Sequence, residues 1–247
     1  MNIPRDEEPT LDAIDAVDWS ALPNPTGDHW DDPRGVADAL RRLAVSTTAN
    51  ETGDAAASLA GRGFVWGHAA MVFPAAHAAT PILLDLVASG RRPRIKDVAV
   101  GLLSDALGCD PQAGHSRVDT DYGAGIPLCC AIAQRIRDRR DVLLAHGRGG
   151  KRLLGETEPH WRLTVEEAEC RPDGGRTALA LLDGAPFATP AEAEVHTPEG
   201  GLSDANVWVD ALTVDTSGAA AVQLRATPAE LPPGSVLYPA ECGLREH

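Results

Sequence analysis

The sequence predicts an α+β protein in which a helical part is followed by a small antiparallel β-rich module. Three observations lead to this prediction. Apolar residues recur at helical spacing in several segments before residue 147, and they alternate with polar residues after residue 158. A glycine-rich segment, 147–150, separates the two patterns. We therefore predict an acidic, proline-rich arm over 1–30, a helical domain over 31–150 and a β-rich module over 158–247.

The arm is expected to contain one or two short helical turns and to end in a turn-forming stretch rich in proline, asparagine and glycine. Trp19 and Leu22 are its candidate anchors to the rest of the protein. The alternative is a loose terminus, which is common at chain ends.

The first helix is predicted to begin at Asp32-Pro33, with Asp32 as the N-cap and Pro33 at the first helical position. Its buried face carries Val36, Ala39, Leu40 and Leu43. The polar stretch 50–54 is predicted to be a loop, and the next helix is expected to begin over 55–59.

The weakly charged stretch Gly63–Gly90 is predicted to form two antiparallel helices. Phe64 to Phe73 supplies the first, from apolar residues at roughly helical spacing. The second begins at Thr80, with Pro81 at its first position; alternatively, Pro81 kinks a longer helix that starts near Pro74.

A third clear helix is predicted over 94–107, where an apolar stripe ends at a glycine. A loop of about 17 residues follows from Cys109 to Gly125, a length typical of functional or mobile loops. The last helix is predicted from Pro127 to Leu144, and 147–150 is interpreted as a linker. The basic run 135–140 is either a solvated helix face with internal ion pairs or a site for an acidic partner.

Beyond residue 158, strands are predicted around 161–165, 177–182, 206–214 and 222–226. They are separated by turns rich in glycine, proline and aspartate. This pattern is typical of a small antiparallel sandwich or open barrel.

Residues 17–146 resemble bacterial HEAT-repeat proteins of the PBS-lyase type. The resemblance depends on an opening Asp-Trp pair, a histidine followed five residues later by an aromatic residue, and prolines before a hydrophobic helix. The matching residues are Asp18, Trp19, His68, Phe73, Pro74 and Pro81. It implies a short HEAT-like α-solenoid, in which stacked helix pairs bury a continuous core. It also implies scaffolding or partner binding, which in this group is more common than catalysis. A β-rich segment stands where further repeats are expected.

Composition excludes several classes of function. The net charge of −14 disfavours nucleic-acid binding, because affinity for phosphate backbones needs clustered basic residues. No apolar run is long enough to span a bilayer, and the N-terminal residues lack the apolar core of a signal peptide. We expect a cytoplasmic protein without a membrane partner. No P-loop, dinucleotide-binding or serine-hydrolase motif is present, so no cofactor is predicted.

The five cysteines have no regular spacing and include no CxxC pair, which argues against a disulfide framework and against a structural zinc site. No metal site is therefore predicted. Cys129 and Cys130 stand at a predicted helix start, where the helix dipole can lower a thiol pKa. The alternative is that Cys129 is a buried structural cysteine.

The candidate binding residues fall into two groups, and no catalytic residue is assigned. Trp66, His68, Phe73 and His77 occupy the weakly charged stretch, and the two histidines can meet only across a bend. They are either hydrogen-bonding helix residues or ligands that need partners from the long loop. The loop itself offers the second group, as a solvated polar cluster or a ligand contact: His115, Asp119, Asp121 and Tyr122.

Two functions are expected from these features. The first is a cytoplasmic protein-interaction scaffold, of which an immunity- or antitoxin-like protein is one version, and it binds a protein partner through its helical face. The alternative is an enzyme of bacterial specialised metabolism, with a small-molecule pocket in the helical domain and histidine–aspartate acid–base chemistry. A weaker hypothesis is a carbohydrate- or peptide-binding β module that uses Trp161 and Trp208 as aromatic platforms.

Overall fold

The computed structural model describes residues 8–24, 32–61, 63–199, 201–203, 205–225 and 231–247. Helices and strands are both abundant, so the α+β prediction is confirmed. The described residues form two compact units. The helical unit comprises the chain up to Ser116 together with Ile132–Glu156 and Glu246–His247, and the barrel unit comprises Arg117–Ala131 and Thr157–Arg245.

Helices build most of the helical unit, where α4 packs against α5 and α2 against α3. Leucines such as Leu40, Leu83 and Leu103 are fully buried in its core. The helices are α1 (Glu8–Asp15), α2 (Pro33–Val45), α3 (Ala49–Leu59), α4 (Ala75–Ser89), α5 (Pro93–Gly108), α6 (Leu128–Asp138, whose first residues belong to the barrel unit), α7 (Arg140–Ala145) and α8 (Arg148–Glu156).

Two helix starts show how capping decides where a helix begins. The Asp32 carboxylate accepts a hydrogen bond from the Arg34 amide, and α2 starts at Pro33 as predicted. The loop predicted over 50–54 is wrong, because Thr48 and Glu51 form a capping box and α3 begins at Ala49.

The helix predicted over Phe64–Phe73 is also wrong. This segment forms the short strands β1 (Val65–Trp66) and β2 (Met71–Val72), and β3 (Asp110–Pro111) pairs parallel to β2. The turn between β1 and β2 holds Ala70 at a φ of 50°. After it, α4 runs through Pro81 without ending, and Thr80 is not an N-cap because its hydroxyl donates to the Ala76 carbonyl inside the helix.

The predicted loop at 109–125 is instead largely a β-hairpin, formed by β4 (Arg117–Thr120) and β5 (Gly123–Pro127). The single helix predicted up to Leu144 is divided at Arg139 into α6 and α7. The predicted linker at 147–150 is also wrong, since helix α8 begins at Arg148. Gly150 is required there because a Cβ would lie 1.9 Å from the Leu143 carbonyl oxygen.

The barrel unit contains a closed antiparallel barrel of six strands, with neighbours in the order β10, β7, β6, β11, β8, β9. Because the barrel is closed, it has no free sheet edge. The sequence analysis predicted a sandwich or an open barrel instead. The strands are β6 (Arg162–Cys170), β7 (Arg176–Asp183), β8 (Ala191–His196), β9 (Val207–Val214), β10 (Ala219–Arg225) and β11 (Val236–Pro239), followed by helix α9 (Ala240–Leu244). β8 and β11 were not predicted.

Tryptophans contribute to the core of both units. Trp19 is buried, as predicted for an anchor of the arm, and its indole nitrogen donates to the Ile14 carbonyl within the arm, whereas Leu22 is only half-buried. Residues 1–7 and 25–30 of the predicted arm lie outside the described residues. Trp161 is buried in the barrel unit and stacks on Phe187, so Trp161 and Trp208 do not form the exposed pair of platforms considered above. None of the described helices is long and apolar enough to cross a membrane.

Candidate functional site

A buried carboxylate–imidazole pair lies on strand β8 of the barrel unit. The residues of β8 from Ala193 to His196 are buried on both faces of the strand. Alternation places Ala193 and Val195, which belong to the barrel core, on one face and Glu194 and His196 on the other. The second face is covered by Arg117 at the start of β4 and by Gly243 of α9, whose missing side chain leaves room for the Glu194 carboxylate.

The Glu194 carboxylate is held by three charged or polar hydrogen bonds. Two guanidinium nitrogens of Arg117 donate to its two oxygens, at 2.9 and 2.7 Å, and His196 Nε2 lies 2.7 Å from Oε1. Burial tends to raise the pKa of Glu194, but the hydrogen bonds and positive charge of Arg117, with the bond to His196, lower it below the ordinary value. Glu194 therefore carries a negative charge at neutral pH.

This carboxylate selects the tautomer of His196. Because an ionised carboxylate only accepts hydrogen bonds, the Nε2 of His196 must carry the proton, and the Nδ1 of the neutral ring then has a free lone pair. That Nδ1 is buried and has no hydrogen-bond partner within the part of the chain that the structure describes. The same ring is nearly perpendicular to the ring of Tyr238, with centroids 5.2 Å apart.

His196 lines a pocket of about 280 Å³. The other lining residues include Tyr122 and Ile126 of the β4–β5 hairpin, Pro198, and Val236 and Tyr238 of β11. The pocket thus combines apolar and aromatic walls with one buried acceptor nitrogen, as small-molecule sites commonly do.

Four buried metal-binding side chains meet elsewhere in the barrel unit. The ligand atoms all lie within 4.8 Å of one another and belong to Cys129, Cys130, His160 and Cys242. Cys129 and Cys130 occupy the first turn of α6, Cys242 lies in α9, and His160 precedes β6. The Nδ1 of His160 lies 3.3 Å from the Cys242 sulfur.

The thiols of this cluster differ in acidity. Hydrogen bonds from Cys130 and Cys242 lower the pKa of Cys129 well below its ordinary value, although the residue is buried. Burial, followed by the interaction with Cys129, raises the pKa of Cys130 well above it. Of the two interpretations of Cys129, burial is confirmed, and the lowered pKa arises from its neighbours.

The first group of sequence-predicted residues lies in the helical unit, with different surroundings for each. Trp66 and His68 are exposed at the β1–β2 turn, and Trp66 is 44% exposed. Phe73 is fully buried in the core, so it has no surface available for a ligand. His77 is half-buried in α4.

The second group divides between the units. His115 is half-buried and belongs to the helical unit, while Asp119, Asp121 and Tyr122 lie on the β4–β5 hairpin of the barrel unit. Asp119 accepts a hydrogen bond from the Gly125 amide and so stabilises the hairpin. Tyr122 is the member of this group that lines the pocket, and the Arg162 guanidinium lies over its ring at 5.0 Å.

Sequence analysis did not predict five residues of the carboxylate–imidazole pair and the cysteine cluster as site residues: Arg117, Glu194, His196, His160 and Cys242. They are distant in sequence, and no motif spacing connects them; for example, 82 residues separate His160 from Cys242. The absence of a CxxC pair does not exclude a metal site whose ligands come from three separate segments. No family model matches the chain, and no curated protein matches it.

Proposed function

We propose that the barrel unit binds a small organic molecule in the pocket beside His196, and that His196 accepts a hydrogen bond or a proton from it. The observation that carries this proposal is the buried Nδ1 of His196, which has no partner among the described residues although its ring lines the pocket. Leaving a buried acceptor unpaired costs about 1–3 kcal/mol. A ligand N–H or O–H that fills this position recovers that cost.

The charges around the ring favour proton transfer. If a bound hydroxyl or amine gives its proton to Nδ1, the ring becomes positively charged while Nε2 keeps its proton. Glu194 lies against that Nε2 at 2.7 Å and stabilises the imidazolium. Arg117 keeps Glu194 ionised. This arrangement supports an acid–base function, with Glu194 and His196 in the barrel unit in place of the histidine–aspartate pair expected in the helical domain.

A thermal-shift screen with a library of small alcohols, phenols and amines tests the proposal. A ligand that binds only the folded protein stabilises it, by about 2.7 kcal/mol at 100 times its Kd. We expect hits that raise the melting temperature of the wild type but not that of His196→Phe, which keeps a ring but has no nitrogen. His146→Phe, in the helical unit, is the matched control. Hits that stabilise the wild type and His196→Phe equally would contradict the proposal.

A second candidate function is favoured by Trp66. This indole is 44% exposed beside the exposed His68, on a turn held by the β1–β2–β3 sheet, and exposed tryptophans are frequent hot spots of protein interfaces. In this proposal the helical unit is a HEAT-like solenoid that acts as a cytoplasmic interaction scaffold. The net charge of −14 favours a basic partner, such as a toxin in an immunity complex.

Affinity capture distinguishes this second candidate. A partner recovered with the wild type and with His196→Phe, but lost with Trp66→Ser, supports an interface at the β1–β2 turn. Equal recovery of the partner with wild type and Trp66→Ser would show that Trp66 is not part of the interface.

A further inference from the structure

Beyond the proposed function, we propose that the barrel unit binds one Zn²⁺ ion in a closed tetrahedral site. The ligands are three thiolates and one imidazole, from Cys129, Cys130, Cys242 and His160. The inference depends on the positions of these side chains and is independent of whether the pocket beside His196 binds a ligand.

The spacing of the ligand atoms fits a tetrahedral zinc ion. Zn–S bonds of about 2.3 Å and Zn–N bonds of about 2.0–2.1 Å place neighbouring ligand atoms roughly 3.5–3.8 Å apart. The four ligand atoms lie within 4.8 Å of one another, and the His160 Nδ1 to Cys242 Sγ distance is 3.3 Å. These separations lie within about 1 Å of those expected around one central ion.

The chemistry of the ligand set favours zinc over other ions. Thiolate and imidazole ligands suit Zn²⁺, whereas Mg²⁺ and Ca²⁺ prefer oxygen ligands. Three cysteines and a histidine complete four-coordination without a water molecule. All four residues are at most 4% exposed, which is typical of a structural site and not of a catalytic site with an open position.

Ordinary core packing accounts less well for this arrangement. A single buried cysteine behaves as a small apolar residue, and Cys109 in the helical unit is an example. Three buried thiols around one imidazole differ from a single buried cysteine, because all four side chains place a metal-binding atom in the same small volume. A disulfide would use two of the thiols and leave the third thiol and the imidazole unexplained.

Zinc at this position would join three segments of the barrel unit that are distant in sequence. These are the start of α6, the residue pair before β6 and helix α9. Gly243, which packs against Arg117 and Glu194, directly follows the ligand Cys242. A bound ion therefore also fixes the part of α9 that covers the carboxylate–imidazole pair.

Metal analysis of the full chain tests the proposal. The protein is purified under reducing conditions, supplied with Zn²⁺ and freed of loosely bound metal by gel filtration. We expect one zinc ion per chain in the wild type and in two control variants, Cys170→Ser, at an exposed cysteine, and Cys109→Ser, at a buried cysteine outside the cluster. We expect Cys242→Ser and His160→Ala to lose most of the zinc.

A second measurement avoids the risk that the ligand variants do not fold. Wild-type protein loaded with Co²⁺ in place of zinc should show the visible absorption and the thiolate-to-metal charge transfer of a tetrahedral, sulfur-rich site. Wild-type protein that folds but binds far less than one equivalent of zinc and lacks these bands would overturn the proposal. A disulfide between two of the three cysteines, found by mass spectrometry of freshly purified protein, would also overturn it, as would equal zinc content in Cys170→Ser and Cys242→Ser.

Discussion

At the scale of single residues, Glu194 connects the stability of the barrel unit to its candidate site. Its carboxylate is buried and accepts hydrogen bonds from both Arg117 and His196. The same contacts select the tautomer that leaves the Nδ1 of His196 as an acceptor. None of these contacts was predictable from local sequence, because Arg117 lies 77 residues before Glu194 and the Glu-x-His pattern on one strand has no specific meaning by itself.

Removing the charge of Glu194 should destabilise the protein strongly. Glu194→Gln leaves the Arg117 guanidinium without its carboxylate partner. Removal of one partner of a buried ion pair lowers the free energy of unfolding by about 3–5 kcal/mol. Because Arg117 keeps some exposure, we expect a value near the lower end of that range in urea unfolding. The control is Asp173→Asn, at an exposed carboxylate 2.8 Å from Arg171, which should change stability far less because solvent screens the pair. Equal effects of the two substitutions would contradict this account of the pair.

The contribution of Glu194 should also depend on pH. Its pKa in the folded protein lies below the ordinary value of 4.5, so the pair stabilises the fold fully above that pH. The contribution is lost as the pH falls through the lowered pKa and Glu194 becomes protonated. The difference in unfolding free energy between wild type and Glu194→Gln should therefore be constant from pH 7 to 6 and shrink below pH 4.5. A difference that grows towards acid would mean that the pKa is raised.

At the scale of secondary-structure elements, helices with clear caps and continuous apolar stripes were predictable, and short elements were not. α2 follows from its Asp32-Pro33 start and its buried stripe, and α5 follows from an apolar stripe that ends at a glycine. The two-residue strands β1 and β2 are too short to show a period of two, so the apolar run from Phe64 to Phe73 resembled a helix. α8 was missed because its glycines, which indicate a linker in sequence, allow close contact with α7.

Two glycine substitutions test that explanation of α8. Gly150→Ala would place a Cβ within 1.9 Å of the Leu143 carbonyl oxygen, so α7 and α8 must separate and we expect a loss of at least about 1–3 kcal/mol. Gly101→Ala, inside α5, meets no atom within 4 Å and should stabilise the protein by up to about 1 kcal/mol. Thermal unfolding of both variants measures the contrast, and a neutral Gly150→Ala would contradict the close approach.

At the scale of the whole molecule, the chain does not divide into units at one boundary. The stretch Arg117–Ala131 belongs to the barrel unit, although Ile132–Glu156 of the helical unit separates it from the barrel strands. The change from period 3.6 to period 2 located four of the six barrel strands, but it did not reveal that the earlier stretch Arg117–Ala131 supplies Arg117, Cys129 and Cys130 to the same unit. Such long-range pairing leaves no local pattern in one sequence.

Replacing Arg117 in the full chain should expose this dependence through a change of sign. Arg117→Met keeps every element of the barrel unit, but Glu194 becomes a buried charge without its main partner. Glu194→Gln should then stabilise the Arg117→Met protein, whereas it destabilises the wild type. Urea unfolding of the two proteins with and without Glu194→Gln gives the comparison, and destabilisation in both would show that Arg117 is not the decisive partner.

The most direct test of the candidate site is the protonation state of the His196 ring in the full-length protein. Long-range ¹H–¹⁵N correlation spectra at neutral pH, with His196→Phe used to assign the signals, distinguish the two tautomers and the charged ring. For the neutral ring we predict the tautomer with the proton on Nε2, facing Glu194, and an unprotonated Nδ1. A neutral ring with its proton on Nδ1 would contradict the claim that Glu194 prepares His196 to receive a ligand.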